Sequence, residues 1–253
     1  MPTDEIIIRL YCIVADTLTD DKKRSDAHLY PSEIVTIGLV FALKGGKFRR
    51  FHRWLAANYQ HFFPSLPERT RLQRLLRDYS ELAEDFLADP TFFTVIDTYG
   101  VELIHPRREG RSNNQLGRKG KSNGRWIVGV KLAWLVDAFG RVVDWIWDTA
   151  NAPDQDFRDL AFAYDGQTIA LSDFGFRAKD EPQRNLKYCA RGTWNERYKV
   201  ESCFGFLEGA CNTKKVFHRV ESHLCARFWY AAALFNCLLV ITDGRIEFAQ
   251  FVI

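Results

Sequence analysis

The sequence predicts a mixed α/β domain preceded by an all-helical one, and three observations carry that expectation. Up to Asp89-Pro90, apolar residues recur at helical spacing. Beyond Pro90, short apolar runs rich in Val, Ile, Phe and Trp alternate with turn residues. Helical patterning returns near Trp194 and holds to Thr242, so the order in the second region is strands, helix, strand, helix. The expected division is a helical domain over 1–90 and a mixed α/β domain over 91–253. A chain of 253 residues has room for a domain of ordinary size and a small accessory one. With 47% hydrophobic and 14% aromatic residues it can fill a core, which excludes an intrinsically disordered chain.

In the first region, Pro31-Ser32-Glu33 opens a helix over IVTIGLVFAL, and Gly45-Gly46 stops it. KFRRFHRWLAANYQHFF follows, ended by Pro64. In ERTRLQRLLRDYSELAEDFL, Leu72, Leu75, Leu76 and Tyr79 share a face, while Arg69, Arg71, Arg74 and Arg77 point elsewhere. A basic helix in a helical domain suits a helix-turn-helix reader of DNA; the plainer reading is a bundle whose arginines face water.

The second region opens with FFTVID, a strand reaching Asp97. TYG then turns into VELIH, so the first two strands read as a hairpin. REGRSNNQLGRKGKSNGR is a loop by composition. WIVGVKLAWLV and RVVDWIWDTA flank the turn DAFG as a second hairpin. Pro153-Asp154 opens a helix with Phe157, Leu160, Ala161 and Tyr164 on one face, and TIALS is a buried strand ending at Asp173. NLKYCA reads as one more strand, and two helices complete the chain.

Charge and cysteine usage narrow the function classes. The net charge of +3 is modest, but its distribution is uneven. Bases cluster between Lys44 and Arg77 and again between Arg107 and Lys131, the second cluster including Arg118, Lys119 and Lys121. Such clusters suit a phosphate backbone, or equally a solvated basic face. The six cysteines form no C-x-x-C pair and no Cys/His zinc spacing, which fits reduced thiols and a cytoplasmic location. Leu224 to Ile241 is apolar enough to raise a membrane span. Arg227 and Asn236 inside it favour a packed helix and no membrane.

Chemistry concentrates on three acids. Asp97 and Asp173 each end an apolar strand, where α/β sheets commonly place ligands and where turn-forming Asp is also frequent. In TWNERYKVESCFGFLEG, Val200, Phe204 and Leu207 make the core stripe. At about 100° per residue, Trp194, Arg197, Glu201 and Glu208 share another stripe. A helix laid on the sheet can thus bring Glu201 between the two strand ends, giving an oxygen-rich site for Mg²⁺. Two such ions about 4 Å apart serve phosphoryl transfer. The competing reading of Arg197 and Glu201 is an i,i+4 surface pair. Lys131 is a candidate phosphate contact or a solvated strand lysine. Asp137 and Asp165 read as turn residues, and Asp154 or Asp156 as a fourth ligand candidate or, on the plainer reading, a helix cap.

Together VIDTYG, LSDFGF and WNERYKVESCFGFLE resemble the three acidic blocks of bacterial insertion-sequence DDE transposases, whose catalytic domain is ribonuclease-H-like. That family's third block reads Tyr, two residues, Arg, three residues, Glu, six residues, Lys. Here Arg197 and Glu201 match, Trp194 stands for Tyr, and Glu208 stands for Lys, leaving Lys214 or Lys215 as substitutes for the lysine's phosphate contact. GVKLAWLVDAFGRVVD with TANAPDQD resembles the family's hairpin before the helix; PSEIVTIGLVFAL and RTRLQRLLRD resemble its helical region more loosely.

The resemblance implies a ribonuclease-H-like mixed sheet and a site in which Asp97, Asp173 and Glu201 bind two Mg²⁺ ions, Mn²⁺ substituting. It implies double-stranded DNA as partner, both element terminal inverted repeats and target, with a homodimer in the DNA complex and a bacterial, nucleoid-associated location. Arg69, Arg71, Arg74, Arg118, Lys119, Lys121, Lys131, Trp194 and Arg197 would meet DNA. The alternatives are a metal-dependent nuclease without strand transfer, a non-catalytic DNA-binding protein derived from a transposase, and a structural α/β protein.

Overall fold

The computed structural model describes residues 1–19, 27–122, 124–179, 184–190, 192, 196–246 and 251. They form two compact units, one of 1–86, 209–212 and 216–253, the other of 87–208 and 213–215.

The first unit is helical: α1 (Thr3–Thr17), α2 (Pro31–Lys44), α3 (Phe48–Asn58), α4 (Arg69–Asp78), a 3₁₀ segment Ser80–Phe86, and the long helix α7 (Glu221–Ile241). Pro31 starts α2, and a Glu33 carboxylate accepts from the Tyr30 N–H in a capping box. Gly45, at φ 67°, ends it. Glu68 caps α4 by accepting from the Thr70 and Arg71 N–H groups. Leu72 and Leu76 are the buried face of α4, while Arg69, Arg71 and Arg74 are exposed.

Helix α7 is the one described helix long and apolar enough to cross a membrane, yet most of it is buried in protein. The Arg227 guanidinium donates to the carbonyls of Phe41, of Ala42 at 2.8 Å and of Cys211 at 3.0 Å. Asn236 donates to the Phe86 carbonyl at 2.9 Å. Both polar groups are satisfied as in a protein core. The expected division placed all of 91–253 in the second domain. Instead 209–212 and 216–253 group with the helical unit, because α7 is apolar nearly all round and buries itself against the apolar α2.

The second unit is a mixed α/β fold built on a six-stranded sheet. Its elements are β1 (Phe93–Ile104), β2 (Arg118–Ser122), β3 (Arg125–Asp137), β4 (Val142–Thr149), α5 (Arg158–Phe162), β5 (Ile169–Ser172), β6 (Leu186–Tyr188) and α6 (Arg197–Gly209). The order is β2-β3-β1-β5-β6, with β2 and β4 sharing the outer edge of β3. β1 is antiparallel to β3 and parallel to β5, and β5 is parallel to β6. Helices cover both faces. Ile96, Ala133, Leu135 and Ala170 pack with Phe157, Leu160 and Ala161 on the α5 side. On the other side Phe204 of α6 stacks on Tyr99 at 5.3 Å and packs tilted against Trp134 at 5.7 Å.

Two expectations are corrected here. No turn follows Asp97: β1 is a single strand of 12 residues, running through Thr98-Tyr99-Gly100 in unbroken register with β3. Tyr99 and Thr98 favour extended backbone, and Gly100 lets Ser122 of β2 come close. Within the stretch expected to be a loop, Arg118–Ser122 is a strand, held by ladder bonds to β3 that need no apolar side chains. The DAFG hairpin is present: Asp137 accepts from the Phe139 and Arg141 N–H groups and pairs with the Arg141 guanidinium.

Candidate functional site

Strand alternation decides which side chains can meet. Ile96 and Ala170 face α5, so Asp97 and Asp173, each an odd number of residues further along, belong to the α6 face. The parallel pairing of β1 with β5 runs from Phe93↔Ile169 to Val95↔Leu171. Carried two residues further, the same offset sets Asp97 beside Asp173. Because β5 ends at Ser172, the edge of β1 beyond this point is free of β5. A cleft of about 460 Å³ opens there, lined by Asp97, Thr98, Lys131, Asp154, Asp173, Arg197, Glu201 and Glu208 among others.

α6 enters over this cleft with Val200, Phe204 and Leu207 buried, which turns Arg197 and Glu201 toward the strand ends. The Arg197 guanidinium then touches all three acids: Asp97 at 3.1 Å, Asp173 at 3.3 Å and Glu201 at 2.9 Å. The last contact is an ion pair rather than a hydrogen bond, since the Nε–H finds no aligned acceptor. The middle of β1, the tip of β5 and the start of α6 thus share a single cation.

Electrostatics follow from burial. Asp97 is pushed up to about 6, mainly because burial penalises its charge, with Asp173 and Asp154 adding repulsion. Arg197 and the Thr98 N–H partly offset this. Burial works against the Arg197 charge, yet the three carboxylates more than compensate and raise its pKa.

A second arrangement adjoins the first. The Lys131 ammonium donates to the Ala152 carbonyl at 2.6 Å and to Asp154 at 2.9 Å, and the Thr98 hydroxyl donates to the same Asp154 oxygen at 2.8 Å. A Cβ on Gly175 would lie 2.9 Å from both Asp154 and Asp173, so that glycine lets the two carboxylates close on either side of it. Asp154 was expected as a helix cap. The cap position is Pro153, and Asp154 instead holds Lys131 and Thr98. The signal in the sequence was Lys131 itself, a strand lysine among apolar neighbours that needs a buried counter-charge.

No family model, no curated protein and no solved structure matches the chain. The site must therefore be judged on its own chemistry.

Among the described residues, no three of His, Cys, Asp and Glu are arranged to hold a metal ion. The donor set nevertheless suits a hard cation: Asp97, Asp173 and Glu201 offer carboxylate oxygens from three elements, and one is costly to keep ionised without a cation. A guanidinium stands at their centre, each of its nitrogens on a different carboxylate.

The other expected residues are distributed more widely. Lys121 lines the cleft; Arg118 and Lys119 are exposed on β2, with the Lys119 ammonium 5.4 Å from the Trp126 ring centre. Arg69, Arg71 and Arg74 lie on α4 in the helical unit. Trp194 falls outside the described residues. Glu208, where the resembled family carries Lys, accepts from the Tyr99 hydroxyl at 3.2 Å and pairs with Lys214, which holds its pKa below the usual carboxylate range. Lys215 pairs with Glu102.

Proposed function

We propose that the chain is a DDE-type DNA transposase with a ribonuclease-H-like catalytic unit, cleaving DNA and joining its 3′ ends to target. The observation that carries this reading is the convergence of Asp97 from within β1, Asp173 just past β5 and Glu201 from α6 on one cationic centre. Supporting it are Lys121 in the same cleft and the exposed arginines of α4, whose charge suits phosphate.

In this reading the three carboxylates hold two Mg²⁺ ions, or Mn²⁺ in their place. Bound there, the ions would polarise the scissile phosphate and activate water or a 3′-hydroxyl. Asp97 and Asp173 anchor the site on the sheet, Glu201 closes it from α6, and Arg197 can take a non-bridging phosphate oxygen. Lys131 and Thr98 hold Asp154 against the cluster and fix its floor. The helical unit supplies the DNA-reading arginines. Two copies would be needed to hold two element ends together, in the bacterial cytoplasm.

The test is cleavage and joining of labelled duplex carrying the ends that flank the coding sequence, with Mg²⁺ or Mn²⁺. Joined product that disappears in Asp173→Asn is the expected result. Cleavage without joining would make the chain a nuclease of the same fold. DNA binding without cleavage under any condition would leave a non-catalytic DNA-binding protein, a reading favoured by Arg197 filling the acidic centre.

A further inference from the structure

The charges around Asp97 are unbalanced in an informative way. Five acids and three cations line the cleft; setting aside Glu208, which pairs with Lys214, and Lys121, the acids Asp97, Asp173, Glu201 and Asp154 are paired with just Arg197 and Lys131. The two cations divide the acids cleanly. Lys131 is committed to Asp154 and to the Ala152 carbonyl, Thr98 donates to the same Asp154 oxygen, and the Lys131 side chain is only 14% exposed. Arg197 is different: each of its three nitrogens meets a different acid, it has no carbonyl partner among the described residues, and a third of its side chain is open to solvent.

A guanidinium and a divalent ion cannot occupy that centre together. Both are cations, and the planar fork keeps the oxygens further apart than the short, near-octahedral shell of Mg²⁺ requires. Arg197 is also the member best placed to leave. It sits at the first residue of α6, on a long side chain, with its outer edge toward the open cleft. A phosphate oxygen above the cleft would give the fork an alternative bidentate partner.

We propose, building on the transposase reading above, that Arg197 is a resident counter-ion that competes with the divalent cation for Asp97, Asp173 and Glu201, and that DNA phosphate draws it out, so that metal loading is coupled to DNA binding. The site is then self-locked without DNA: the acids are neutralised by the chain itself, and free metal gains little by entering. Thermodynamic reciprocity makes the coupling run both ways, the metal tightening DNA binding by the factor by which DNA tightens metal binding.

Titration of Mn²⁺, read from the loss of its free-ion electron paramagnetic resonance signal, tests the competition directly and needs no turnover. The protein is the full chain, and the probes are Mn²⁺ alone and Mn²⁺ with a short duplex. The same titration on Asp97→Asn with duplex subtracts the ions held by DNA. Without DNA, Arg197→Gln should bind Mn²⁺ about tenfold or more tighter than wild type, a gain of about 1.4 kcal/mol at that fold-change. Duplex should tighten Mn²⁺ binding to wild type and leave Arg197→Gln unchanged. Arg197→Lys, which keeps one charge but cannot span three acids, should fall between the two and serves if the Gln variant does not fold. Equal or weaker Mn²⁺ binding by both variants would overturn the competition while leaving the transposase reading standing. Failure of every form to bind Mn²⁺, with or without duplex, would overturn both.

Discussion

Asp97 is the residue on which burial and function pull in opposite directions. Its pKa is raised to about 6, so in the folded chain it holds its proton to higher pH than in the unfolded one. Between the ordinary carboxylate value and about 6, the native state therefore binds more protons than the unfolded state. Stability then falls as pH rises through that window, and at neutral pH the ionised Asp97 is a net cost. Asp97→Asn removes that cost. In the presence of a chelator the variant should be more stable than wild type at pH 7, by about 1–3 kcal/mol given one to two units at 1.36 kcal/mol each. The advantage should vanish near pH 4. Urea denaturation at the two pH values measures both, and a variant less stable than wild type at pH 7 would contradict the account. Excess Mg²⁺ alone should leave the gap at pH 7 nearly unchanged, since without DNA Arg197 already holds the three acids. Asp173 was legible as a strand end and Arg197 with Glu201 as a helical stripe, both local patterns, whereas Asp97 was singled out as a strand end and lies inside β1. That Arg197 would take all three acids at once was not legible, since it depends on the distance between a helix and two strands far apart in sequence.

Elements were read well where the apolar period was long and less well where backbone pairing alone made the structure. α2, β3 and β4 sit where their patterns put them, because their side chains carry the burial that forms them. β2 has the side chains of a loop, and only the ladder to β3 makes it a strand. The turn expected after Asp97 failed for the same reason in reverse: Gly100 looks like punctuation but serves close approach within a sheet. α7 offers a test at this scale. Its Arg227 spans three carbonyls, two of them in the last turn of α2, where Phe41 also accepts from the Gly45 N–H. Burial drives the Arg227 pKa down to about 10, so it stays charged at neutral pH and acts as a buried C-terminal cap. Arg227→Met fills similar space but takes this donor from the Ala42 and Cys211 carbonyls and leaves Phe41 only the Gly45 N–H. It should cost about 2–4 kcal/mol in the full-length protein. A loss under about 1 kcal/mol in urea denaturation would mean the carbonyls find other partners.

At the scale of the whole molecule, chain order and compact units part company. The helical unit is not a segment: it closes only when 209–212 and 216–253 return to the helices of 1–86. The reason lies in two helices that are apolar on every side. α2 is buried at every residue from Ile34 to Leu43, and α7 from Ala226 to Leu238 save Trp229, so neither has a face that water can satisfy. The second unit, by contrast, is nearly continuous over 87–208 and carries its own core on both faces of its sheet. A chain cut to 1–90 should therefore be helical by far-ultraviolet circular dichroism but lack dispersed amide resonances, with α2 exposed and the Arg227 cap gone. Supplying a peptide of 209–253 should restore dispersion, since it returns α7 and with it the buried partner of α2. A fragment of 87–215 should show dispersed resonances by itself. Sharp, dispersed resonances from 1–90 alone would show that α1 to α4 can bury α2 without α7, and the boundary first expected near Pro90 would then mark an independent domain after all.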